Sequence, residues 1–167
     1  AVYYGVMVRG LDLPEQIRYA IFVGVPKFRF SARFEDPNPS TVLRTLGLLY
    51  SVEVDEAKKR EIERLMNRLK RLVMEAPFYV LAEIREKLLR GEEPKSIYER
   101  IVFDALVFVR KELEKREVIE RLKKHPDIRI IEENGNIYIL IPDVMTYIQA
   151  SGRTSRMYVG GLTKGLS

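Results

Sequence analysis

The 167 residues contain no cysteine, no tryptophan and one histidine, His125. Without thiols the chain can form no disulfide, no cysteine-type zinc site and no thiol nucleophile. A single imidazole excludes a multi-histidine metal centre and argues against an imidazole triad. No apolar run reaches the roughly 18 residues of a membrane span, and no signal peptide is present. On that ground the sequence reads as soluble and cytoplasmic, with no membrane partner and no metal site of its own. Internal repeats and low-complexity tracts are also missing.

What remains is rich in charge. Hydrophobic residues make up 46%, enough to bury a core, and the length suits one ordinary domain or two small ones. Charged residues reach 32%, above the usual level of about 25%. Abundant Glu, Lys and Arg without Cys or Trp lean towards a thermophile. A net charge of +5 permits an acidic partner such as nucleic acid without demanding one. The chain starts without Met and stops after "LTKGLS", so a fragment of something longer is expected.

Three parts differ in pattern. In residues 1–30 the apolar run Tyr19 to Val25 lies between Pro14 and Pro26 and predicts a buried strand in a parallel sheet. From residue 31 to about 126 the spacing is helical. Turn chemistry in "DPNPS" offers Ser40 as an N-cap, and Asp55 caps a helix carrying Ile62, Leu65, Met66, Leu69, Leu72 and Val73 on one face. Pro77 opens a further helix that Gly91 closes, and one long helix is expected from about Pro94 to Lys124, stopped by His125-Pro126. "DIRIIEENGNIYILIPD" then predicts a hairpin about Asn134-Gly135, and helix resumes after Pro142. Net charge is +2 over residues 1–30, +1 over 31–141 and +2 over 142–167. The positive excess is densest at the two ends, which fits two end segments sharing a polyanion site.

Two end stretches carry that idea. In "GVMVRGLDLPE", Gly10 lets backbone approach a ligand and Asp12 offers a carboxylate. In "YIQASGRTSRMYVGG", Arg153 and Arg156 stand three apart, on one face if helical, among the small Gly152, Thr154 and Ser155. Guanidinium forks match phosphate oxygens; an exposed basic helix end is the plain alternative. Taken together the stretches resemble motifs V and VI of superfamily 2 helicases, with Gly10, Asp12, Gln149, Gly152, Arg153 and Arg156 matching in order. Gln149 stands where many members have His. In that family a short connection joins the strand to the second motif, whereas more than a hundred residues intervene here. That interruption, with "RGLDLPEQIRYAIFVGVPKFRF" and "SGRTSRMYVGGLTKGLS", resembles the reverse gyrase family.

The resemblance implies an α/β fold. Residues 1–30 and 142–167 would form part of a second RecA-like helicase domain, and 31–141 a mostly helical insertion with a β-hairpin, the latch of that family. It implies an ATP-dependent type IA topoisomerase that introduces positive supercoils into DNA. ATP and Mg²⁺ would be bound mainly by parts outside this chain, and zinc only outside it. Arg156 would be the arginine finger, with Arg153 positioning phosphate or aiding closure. Gly10, Asp12, Gln149 and Gly152 would complete the nucleotide site, and Arg9 would join the turn that links nucleotide to DNA. The partners implied are DNA, the first RecA-like domain and the topoisomerase module of the same polypeptide, working as a monomer. The fragment alone is expected to be inactive.

Within the insertion, Arg60, Arg64, Arg68 and Arg71 recur at four, four and three residues, opposite the apolar face. They are candidate phosphate contacts; a solvated face paired with Glu56, Glu61 and Glu63 is the alternative. His125 is expected to close a helix beside Lys123 and Lys124, Tyr138 to pack, and "GGLTKGLS" to form a helix exit rather than a phosphate turn. Two other functions stay open: a superfamily 2 DNA or RNA helicase with a nucleic-acid-binding insertion, and a non-enzymatic binding module.

Overall fold

A computed structural model describes residues 21, 24–144, 147, 148, 157, 158, 161 and 162. The chain divides into two units, one of Arg29–Leu140 and one of Ala1–Phe28 with Ile141–Ser167. Strand β1 (Lys27–Ser31) leads into five helices: α1 (Pro39–Val52), α2 (Glu56–Glu75), α3 (Phe78–Leu89), α4 (Ile97–Leu113) and α5 (Arg116–Lys123). Strands β2 (Arg129–Glu133) and β3 (Asn136–Pro142) follow, and two short strands, β4 (Met157–Tyr158) and β5 (Gly161–Leu162), form a separate pair. Helices beside a small antiparallel sheet make a mixed, α/β-compatible composition.

Three of the five helices begin at a side chain that satisfies free N–H groups. For α1 the cap is Asn38, not the expected Ser40: its side chain accepts from Ser40 N at 3.0 Å. Pro39 has no N–H to lose and suits the first helical position, which places the cap at Asn38, two residues upstream of Ser40. Asp55 caps α2, accepting from Ala57 N at 2.8 Å. Ser96 and Glu99 form a reciprocal capping box on α4. The apolar faces converge on Val42, Leu46, Ile62, Leu69, Val102, Val109, Val118, Leu122 and Ile139, all essentially without solvent contact.

The long helix expected from Pro94 to Lys124 is two helices. It breaks at Glu114–Lys115, where Lys115 is extended (φ −78°, ψ 120°). At about 100° per residue, a straight helix would carry the buried Val118, Ile119 and Leu122 about 150° round from Val102, Ala105, Leu106, Val109 and Leu113. The break turns both sets into one core.

In the sheet, β3 lies between β1 and β2. The hairpin register pairs Arg129 with Leu140 and Glu133 with Asn136. Asn134 (φ 51°) and Gly135 (φ 74°) both have positive φ, the geometry of a type I′ turn. Ala32 N donates to Ile137 O (2.8 Å) and Asp143 N to Pro26 O (2.8 Å), so β1 is antiparallel to β3.

Two expectations need correction. Of the apolar run Tyr19–Val25, the described Ile21, Gly24 and Val25 lie outside any strand, and Ile21 is 89% exposed. Gly24 takes φ +86° and Pro26 offers no N–H, so regular extension starts only at Lys27. Gly161 pairs with Tyr158 and Leu162 with Met157, so this glycine lies in a strand pair instead of a helix exit. After Pro142, the described Val144, Tyr147 and Ile148 are helical, as the sequence predicts.

Candidate nucleic-acid interface

Helix α2 packs through Ile62, Leu69 and Leu72, which turns the opposite side to solvent. There Arg60, Arg64, Arg68 and Arg71 are all exposed and fall within an arc of about 80°. Arg60 Nε donates to Glu56 O at 3.2 Å, holding that side chain along the first turn. The acids expected to neutralise the stripe do not do so. Glu56 meets Lys59 (3.1 Å) instead, and among the described residues none of the four guanidiniums has a carboxylate within ion-pair distance. Elsewhere arginines are matched: Arg29 with Glu133, Arg85 with Asp36, and Arg121 with Glu53. From residue 64 to residue 74 the helix carries Arg64, Arg68, Lys70 and Arg71 and no acid. Such a one-signed surface attracts a polyanion and releases counterions on binding.

At the C-terminal end of this face, Asn67, Lys70, Arg71, Met74 and Glu75 line a shallow depression. Just beyond it, Pro77 starts α3 without a side-chain cap, and its first two residues, Phe78 and Tyr79, stand in solvent. Sequence reasoning placed the helix start at Pro77 and missed the rings. The available signal was phase: on α3 they lie away from Ile84, its one buried residue.

Buried carboxylates hold the scaffold under this face. Glu99 accepts from Lys95 N (2.6 Å), from Lys87 Nζ (3.0 Å) and from Ser96 N (3.1 Å), tying α3 to α4. The Lys95 N–H, the Lys87 ammonium and the Ser96 N–H hold its carboxyl down at about 2. Burial works to raise the Glu53 carboxyl, but the N–H groups of Asp55 and Val54 and the Arg121 guanidinium (3.0 Å) outweigh it and leave it lowered. Glu112 joins α4 to α2 through Lys58 (3.7 Å) and meets Lys115 at the helix break. All three are structural ties, and no group of three or more Asp, Glu or His among the described residues could hold a metal ion.

On the sheet, Arg29 covers the Tyr138 ring at 3.9 Å while paired with Glu133 (2.6 Å), so Tyr138 is a packing residue. His125 closes the turn after α5: its N–H donates to Leu122 O, and its Nδ1 accepts from Asp127 N at 3.2 Å. Arg9, Gly10, Asp12, Gln149, Gly152, Arg153 and Arg156 lie outside the described residues. No helix among the described residues is long and apolar enough to cross a membrane.

No protein-family model matches the chain. Among curated proteins it is 49% identical to the reverse gyrase of Pyrococcus horikoshii over 172 aligned residues, 100% of this chain and 10% of that protein. It is 48% identical to the reverse gyrase of Pyrococcus furiosus, again over the whole chain and 14% of that protein. Reverse gyrase 1 of Aeropyrum pernix shows 44% identity over the whole chain and 12% of its own length. The chain thus spans only a tenth to a seventh of these relatives. Matched from end to end at such identities, it is homologous to a segment of reverse gyrase.

Proposed function

We propose that this segment serves an ATP-dependent reverse gyrase, a topoisomerase that introduces positive supercoils into DNA, in two ways. Residues 1–30 and 142–167 supply the motif V and VI half of the ATP site on a second RecA-like domain. Residues 31–141 are the latch that couples the helicase module to the type IA topoisomerase module. The observation that carries this reading is the end-to-end match, within which Gly10, Asp12, Gln149, Gly152, Arg153 and Arg156 keep the order of the helicase motifs. Support for an inserted module comes from its ends: Ala32 and Ile137 are hydrogen-bonded neighbours, as a unit threaded into another domain requires. The thermophilic origin of the relatives suits the charged, cysteine-free composition.

In this mechanism the first RecA-like domain, outside the chain, cradles the ATP phosphates and Mg²⁺. When the cleft closes, Arg156 brings a permanent charge to the γ-phosphate as negative charge spreads over its oxygens in the transition state. Arg153 positions the phosphates, Asp12 meets the ribose or the finger, and Gly10 with Arg9 forms the turn towards DNA. The unpaired arginines of α2 hold DNA phosphates while the modules move. Arg156→Ala in the full-length enzyme should reduce DNA-stimulated ATP hydrolysis by about 10³–10⁵, read by steady-state phosphate release. Hydrolysis near the wild-type rate overturns the finger assignment.

A further inference from the structure

We propose that the corner between α2 and α3 takes unpaired nucleic-acid bases, with Phe78 and Tyr79 as the stacking rings and Lys70 and Arg71 holding the adjoining phosphates. The inference rests on the nucleic-acid reading of the α2 stripe and specifies which form of the polymer this end of it receives.

Three observations carry it. Phe78 is 86% exposed, Tyr79 71% and Met74 74%, three large apolar side chains within six consecutive residues. Burying one such side chain is worth about 1.5–3 kcal/mol, so a free surface that displays three together marks a place where something else covers them. Pro77 fixes φ at the corner, and Phe78 and Tyr79 occupy the first two positions of α3, so the rings stand on regular backbone. Finally, Met74 shares its depression with Asn67, Lys70, Arg71 and Glu75, two cations against one carboxylate, and the helix turns leading to it carry no acid from residue 64 to residue 74.

That charge decides the occupant. A polyanion fits two exposed rings that follow in sequence a depression where Lys70 and Arg71 outnumber Glu75, whereas an ordinary apolar protein surface would leave that positive excess unanswered. Within the polyanion class, a duplex keeps its base faces stacked inside and offers the rings nothing flat to meet. An unpaired strand offers a face at every base and a phosphate at every step, the combination that single-strand sites use.

The test is equilibrium binding of the 167-residue chain to a labelled oligothymidylate and to a mixed-sequence duplex of equal length, read by fluorescence anisotropy at one salt concentration. Phe78→Ala with Tyr79→Ala should weaken oligothymidylate binding by about tenfold or more and leave duplex binding within about twofold. Phe78→Trp with Tyr79→Phe keeps two flat rings and should retain the single-strand affinity, which separates stacking from damage to the fold. Equal losses on both probes overturn the proposal, because the rings then act through structure or backbone. Unchanged affinity for both probes also overturns it and assigns the ring face to a protein partner. If the unsubstituted chain binds neither probe, the wider nucleic-acid reading of α2 fails, and this inference fails with it.

Discussion

Glu99 is a residue whose sequence context states half of its role. Ser96 and Glu99 in "SIYE" have capping-box spacing, and the reciprocal bonds form. The other half comes from Lys87, twelve positions earlier on another helix, a contact that local spacing cannot announce. Because the folded carboxyl sits at about 2 against an ordinary 4.5, its contribution to stability is fully present above about pH 4.5. It is lost as the pH falls from there through about 2. Glu99→Ala should lower unfolding free energy at neutral pH by about 1–3 kcal/mol, with a smaller loss at pH 3. Urea titrations at the two pH values check this, and an equal loss at both would show that the carboxylate charge plays no part. The cap of α1 teaches a similar lesson. Asn38 and Ser40 are both good caps, and Pro39 between them was the residue that decided.

At the scale of elements, periodicity read well where one apolar stripe ran straight. The start of α2 and the turn at Asn134-Gly135 were legible because their signals are local: a side-chain cap in one case, two positive φ angles in the other. The break between α4 and α5 has no proline or glycine to mark it. What marks it is the change in stripe phase between Val109 and Val118, visible only if the apolar set is followed past Val109. The α2 stripe was legible as positions but not as chemistry, since the acids that could have neutralised it are present in the sequence. Only the structure shows Glu56 turned to Lys59. Replacing Arg60, Arg64, Arg68 and Arg71 with Gln should reduce the slope of log affinity against log salt by about 3 on single strands or about 3.6 on duplex. Binding isotherms across a salt series measure this, and an unchanged slope makes the stripe a solvated face.

For the whole molecule, the expectation of a fragment of something longer is met by the end-to-end match to proteins seven to ten times longer. The residues proposed for the nucleotide site owe that assignment to resemblance: residue type and spacing mark Gly10, Asp12, Arg153 and Arg156 as candidates but equally suit plain surface loops, and all six proposed positions lie outside the described residues. Deleting residues 32–141 from the full-length enzyme, with a short linker in their place, should leave ATP hydrolysis in being while positive supercoiling falls sharply. Topoisomer distributions on gels and phosphate release read the two activities. Intact supercoiling would sink the coupling role.

The hairpin turn carries a consequence of a different kind. Positive φ at both Asn134 and Gly135 makes this pair hard to replace without strain. Asparagine followed by glycine is also a perishable pair in hot water, because the glycine nitrogen can close on the side-chain amide and expel ammonia. The geometry that sets the register of β2 on β3 therefore fixes in place a slow chemical clock. A preparation kept hot should first show its age at this turn, as a new acidic species, well before any loss of fold.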